Sequence, residues 1–211
     1  MKEIISSEEQ QRIMTAIKQA EKKTSAELFA VLARRSDDYR FIAYSMIAMW
    51  ILVCSCILAI WLDYRQVAID PLTLVIAQLL AMVSAIAVFR LVPSIVCHIA
   101  PKRITDERAH ANAVKQFMAH GIHKTSFRTG VLIFVSMDER YGEIIVDSAV
   151  EEKLGRKLVT DCVAMLIDEC ANERIAEGYL LAISRMGEEL ARVLPKIKNN
   201  PNELEDKLII L

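Results

Sequence analysis

Carboxylates supply the first candidates for chemistry. Asp37 and Asp38 follow a short apolar run, and Asp138 and Glu139 follow a second one much further along the chain. Paired hard oxygens of this kind take calcium or magnesium, and a cation held there could polarise a phosphate ester for hydrolysis. The same acids stand among Arg34, Arg35 and Arg140, so solvated turns neutralised by neighbouring guanidinium groups are the simpler reading. His120 and His123 flank Gly121; zinc would need two further ligands and a helical pairing that this run does not offer. Protonated imidazoles favoured by the C-terminal end of a helix are the plainer alternative. His110 precedes them on the same helix and His98 stands alone. Of five cysteines, Cys54, Cys56 and Cys97 lie in or beside apolar runs, and Cys162 and Cys170 share a helix. No Cys-x-x-Cys pair, P-loop or Gly-x-Gly-x-x-Gly occurs, and no Ser–His–Asp or Cys–His spacing can be argued. Free thiols in a reducing compartment are expected, and the sequence requires no cofactor.

These residues need elements to hold them. Ser6 with Glu9, and Ser7 with Gln10, open a first helix as capping boxes, and Ile13, Ala16, Ile17 and Ala20 give it one apolar face. Glu27 to Ala33 is too short for a buried helix and reads as a buried strand. Thr105 or Asp106 should cap a helix carrying Ala109, Ala113, Val114 and Phe117, ended by Gly121. Gly130 to Val135 and Glu143 to Val146 read as strands joined by a turn from Asp138 to Gly142. Two amphipathic helices follow, one through Val159 to Ile167 and one through Ala176 to Val193, stopped by Pro195. A polar stretch then leads to an apolar tip, Leu208 to Leu211, which could pair as an edge strand or dock on a partner. Helices before, between and after buried strands imply an α/β/α sandwich in three layers.

Between the first strand and its continuation lies a different kind of sequence. Phe41 to Leu62 carries no charge, and at 1.5 Å per residue spans roughly 33 Å, enough for a bilayer core. Pro71 to Val92 forms a second run broken only by Arg90, with Gln78 its one strongly polar side chain, placed to bond across a hairpin. A pair of core helices is the alternative, but uninterrupted runs of this length are rare in soluble domains. The organisation expected is a domain of residues 1–40 and 93–211 interrupted by a transmembrane hairpin, 41–62 and 71–92. Arg34, Arg35, Arg40, Arg90, Lys102 and Arg103 flank the hairpin while Arg65 alone stands in its loop. The positive-inside rule then puts both termini in the cytoplasm. Lipid is thus an expected partner. Charged residues are 25% of the 211, and 26 Lys and Arg against 27 Asp and Glu leave a net charge of −1. That balance excludes bulk nucleic-acid binding, which needs a basic stripe.

If the two main strands run parallel, as a crossover favours, the turn at Asp138 emerges at the same sheet edge as Asp37 and Asp38. Carboxyl edges of such sheets are where α/β proteins bind ligands. Asp37, Asp38, Asp138 and Glu139 are therefore the candidate cation ligands.

The order of motifs resembles the TPM domain family, which includes thylakoid-lumen acid phosphatases and photosystem II repair proteins. The resemblance rests on Ile5 to Glu9, Thr24 to Glu27, Gly130 to Ser136, Asp138 to Arg140, Glu143 to Ile145 and Glu177 to Tyr179 with Gly187. It implies the sandwich fold and a bacterial inner-membrane protein. Where family members carry acidic or glycine-rich segments, this chain reads Lys2-Glu3-Ile4, Thr129 and Asp147-Ser148-Ala149. The fold is therefore expected to carry over and the phosphatase chemistry is not. The expectation is a non-enzymatic interaction or regulatory module whose partner is a membrane protein or a second copy. A cation-dependent phosphomonoester hydrolase is the alternative.

Overall fold

Strands that are apolar on both faces need cover on both, and that requirement sets the architecture. The computed structural model describes residues 5–68, 70–92, 99–197 and 203–211. Cys97, His98, Lys2-Glu3-Ile4 and most of the polar stretch before the tail lie outside them. The chain forms two compact units, Met1–Asp37 with Asp106–Leu211, and Asp38–Thr105.

The first unit is built on a four-stranded sheet in the order β3-β2-β1-β4. β1 (Glu27–Ala33) and β2 (Gly130–Ser136) are buried throughout and pair in parallel, Glu27 opposite Gly130 and Ala33 opposite Ser136. β3 (Tyr141–Val146) returns antiparallel to β2. The turn is therefore tighter than the sequence suggested: Tyr141 and Gly142 belong to β3, paired with Ser136 and Val135. β4 (Leu208–Ile210) is the apolar tail, lying parallel to β1 at Ala30–Leu32. It supplies the edge strand.

Strand alternation divides the core in two. Leu28, Ala30, Leu32, Val131, Ile133, Val135 and Ile144 face one helical layer, made of α1 (Ser7–Glu21), α6 (Arg156–Ala171) and α7 (Ile175–Val193). Phe29, Val31, Ala33, Leu132 and Phe134 face the other, where Ala113 and Phe117 of α4 (Lys102–Ala119) cover them. A short helix, α5 (Ser148–Lys153), which the sequence reading did not separate, follows β3 with Asp147 as its cap.

Local signals explain most of the boundaries. Ser6 caps α1 in a full capping box with Glu9. Helix α4 starts earlier than Thr105, because Pro101 sets its first turn: the Pro101 carbonyl accepts from Ile104 and Thr105 N–H. Thr105 lies inside the helix, its hydroxyl bonded to the Lys102 carbonyl at 2.8 Å. Gly121 ends the helix with φ +69°, a left-handed position that suits glycine. Gly130 is required for a different reason, since a Cβ there would stand 2.3 Å from the Ile122 carbonyl oxygen.

The second unit holds two apolar helices, α2 (Arg40–Tyr64) and α3 (Pro71–Leu91). Both are long and apolar enough to cross a membrane, and their most apolar windows are 0% and 6% buried within the chain. They are not core helices. Gln78 donates to Ser55 Oγ at 2.7 Å, the interhelical bond its position led us to expect. Asp70 caps α3 ahead of Pro71, and Tyr44 stacks on Phe89 at 5.4 Å.

Candidate functional site

The carboxyl ends of β1 and β2 bring the predicted acidic residues of the first unit to one edge. The parallel ladder continues beyond the strands: Met137 N–H donates to the Ala33 carbonyl and Asp138 N–H to the Arg34 carbonyl. Segments 34–37 and 137–139 thus lie side by side. Asp138 is bound by Arg35 at 2.8 Å, each side chain about a quarter exposed. Asp37 is bound by Arg108 at 3.2 Å. Glu139 is buried, 3% exposed. One of its oxygens accepts the Ser36 N–H at 2.9 Å and the other the Ser136 hydroxyl at 2.5 Å. Asp38 belongs to the second unit, where Arg40 holds it through its backbone N–H and its guanidinium. Among the described residues, no three His, Cys, Asp or Glu side chains converge so as to hold a metal ion. Of the basic residues used to argue topology, Arg40 opens α2, Arg90 stands in the last turn of α3, and Lys102 and Arg103 open α4. Arg34 and Arg35 continue the chain beyond β1.

The acidic edge is part of a longer polar chain that the sequence reading missed. Gln116 donates to Asn112, Asn112 to Ser36 Oγ, Ser36 Oγ to Ser136 Oγ, and Ser136 to Glu139. Every donor points the same way, from the helix towards the buried carboxylate, so the bonds reinforce one another. Asn112 and Gln116, four apart on a helix with an apolar face, were a usable signal. Ser36 and Ser136 were not, because only the parallel register puts them together.

Histidine chemistry sits elsewhere than expected. His110 Nδ1 lies 2.9 Å from both oxygens of Glu143, and the Tyr141 hydroxyl donates to Glu143 at 3.0 Å. Burial, then the adjacent Glu143 charge, pushes the Tyr141 phenol well above its ordinary range. The His120 ring packs on Phe29 at 4.7 Å, and desolvation lowers its pKa. The four described cysteines are free thiols. Burial pushes Cys170 up to about 11 and raises Cys162 as well, so neither is an activated nucleophile.

A third polar group lies beyond the amino end of the sheet. Glu21, 6% exposed, accepts the Leu28 N–H at 2.8 Å. Burial, then a hydrogen bond shared with Asp206, raises its pKa to about 9. Glu27 is raised by burial too, opposed by the N–H groups of Leu204 and Glu203. Helix α1 and the tail before β4 thus meet at Glu21 and Asp206.

Comparison with known proteins follows the fold. No curated protein matches the chain. The NMR structure of the BA42 protein from the psychrophilic bacterium Bizionia argentinensis is similar at TM-score 0.62 and 16% identity. That likeness covers 100% of this chain and 98% of the other, and at such identity it is one of fold. Residues 92–189, which begin at the end of α3 and include β2, β3 and most of α7, match the TPM domain family. That matched segment is similar to a TPM domain, and the mixed sheet between two helical layers is a fold the chain has in common with BA42.

Proposed function

We propose that this is an integral membrane protein of the bacterial inner membrane whose cytoplasmic TPM domain is a non-enzymatic interaction or regulatory module. The observation that carries this reading is the commitment of the acidic edge to partners within the chain. Asp138 is taken by Arg35, Asp37 by Arg108, and Glu139 by a backbone N–H and a serine hydroxyl. Carboxylates so engaged hold the loops together, and a cation or phosphate would have to displace those bonds. Exposed Leu52, Ile60, Leu79 and Val83 on the two apolar helices suit acyl chains. The basic residues around the hairpin support two cytoplasmic termini. Partners of this module are the lipid bilayer and a membrane protein or a second copy, and not nucleic acid.

A divalent-cation-dependent phosphatase is the second reading, favoured by the one fact that Asp37, Asp138 and Glu139 do reach a common carboxyl edge. Calcium or magnesium would be its cation. The deciding experiment is hydrolysis of a generic phosphomonoester by the detergent-purified full chain, with calcium or magnesium and then with chelator. No metal-dependent turnover is expected. Turnover that requires metal and vanishes in an Asp37→Asn, Asp38→Asn double variant would overturn the module reading. Co-purification with one membrane complex, unchanged by Asp37→Asn, is the positive result.

A further inference from the structure

Behind the β2–β3 turn, on the α6 side of the sheet, lies a cavity of about 310 Å³. Its walls include Val135, Met137, Ile167 and Cys170, and it is also lined by Arg140 and Glu173. Both charged residues are exposed and come from separate connections, the hairpin turn and the loop between α6 and α7. Their charged neighbours are already satisfied: Asp138 pairs with Arg35, and Arg174 with Glu169 at 2.7 Å. Among the described residues, the side chains of Arg140 and Glu173 enter no ion pair or hydrogen bond.

Backbone geometry singles out the same two residues. Arg140 has φ +50° and Glu173 φ +62°, two of the four non-glycine residues in the left-handed region among the described residues. Glycine would take either position without strain. The chain instead keeps a long cation and an anion there, both lining one apolar-walled cavity.

We propose that this cavity binds a free α-amino acid with an apolar side chain. Arg140 receives the carboxylate, for which a guanidinium fork is suited. Glu173 receives the ammonium group. The apolar body lies against Ile167, Val135 and the soft, adaptable Met137 and Cys170. The volume is of the order that small-molecule sites have, and the few polar groups are set to fix orientation rather than supply contact area. Neither charge alone explains the pair, since a simple anion would leave Glu173 facing like charge and a simple amine would leave Arg140 so. The site gives the domain a small-molecule input, and it stands whether or not the membrane-module reading does.

Isothermal titration of the detergent-purified full chain tests this with L-leucine, L-leucinamide and N-acetyl-L-leucine as probes. Leucine is expected to bind saturably, and each analogue, lacking one charge, at least tenfold more weakly. Arg140→Gly should bring leucine down to the leucinamide level, and Glu173→Gly to the N-acetyl level. Glycine suits both backbone positions, so these variants should melt no lower than the parent. The analogue series decides the question even if one does. Absence of saturable leucine binding, equal binding of all three probes, or folded glycine variants that bind like the parent would each overturn the proposal.

Discussion

Single residues show how burial, rather than residue type, assigns roles in this chain. Glu139 looked like a candidate ligand because it is acidic and follows a strand. Its burial and two short donors make it the terminus of a hydrogen-bonded chain from Gln116. Glu21 drew no notice in the sequence, since it sits at the polar end of an amphipathic helix, yet it is held neutral well above its ordinary 4.5. Between about 4.5 and about 9 the folded chain binds more protons at this group than the unfolded chain does. The stabilisation is therefore complete below the lower value and fades as pH rises through the upper one. Glu21→Gln keeps an acceptor for Leu28 N–H and a donor for Asp206 without a titrating proton. It should melt close to the parent near pH 5 and exceed it by about 1 kcal/mol or more at pH 8. Melting the full chain in detergent at both pH values checks this, and an unchanged pH slope in the variant would refute it.

At the scale of elements, most boundaries that a local chemical signal sets were legible, the Pro101 start of α4 being the exception. The Ser6 capping box, the end of α4 at Gly121, the Pro71 start of α3 and the limits of β1 all follow from short-range rules. The misplaced start of β3 has a tertiary cause: it begins at Tyr141 because its register with β2 pairs Tyr141 with Ser136. The interhelical bond from Gln78 to Ser55 was anticipated because an amide in an apolar helix needs a partner. Ser55 also donates to the Leu52 carbonyl at 2.8 Å, so it is not stranded when the amide goes. Gln78→Leu should therefore lower the stability of the hairpin only slightly, by about 0.6 kcal/mol and at most about 2. Thermal unfolding in detergent reads that difference; a loss several times larger would show that the bond organises the helix pair.

For the whole molecule, the tail is the decisive piece. Residues 203–211 complete the sheet at β1, cap Glu21 with Asp206 and Glu27 with backbone N–H groups, and bind Ser126 through Glu203. Without them a buried strand becomes an open edge, a template for pairing with other chains. A chain truncated after residue 202 should form concentration-dependent oligomers that the full chain does not. Size-exclusion chromatography in one detergent at several concentrations tests this, and a truncated chain that elutes like the parent and melts alike would refute it. The TPM match covers 92–189, yet the sheet it describes is closed by β1 before that segment and β4 after it.

By itself the sequence determined what depends on neighbours along the chain: two long apolar helices, the capped helix α1, the strands apolar on both faces, and the order of motifs shared with the TPM domain. It also led us to expect Asp37, Asp38, Asp138 and Glu139 at one edge, because a parallel crossover leaves little choice of direction; Asp38 falls in the second unit instead. Only the tertiary structure decided which of these groups are committed. Arg35 with Asp138, Ser36 with Ser136, His110 with Glu143 and Glu21 with Asp206 are pairs between distant segments. No periodicity encodes such meetings. They arise from register and from which helix covers which face, and burial then sets how strongly each pair holds its charge or its proton.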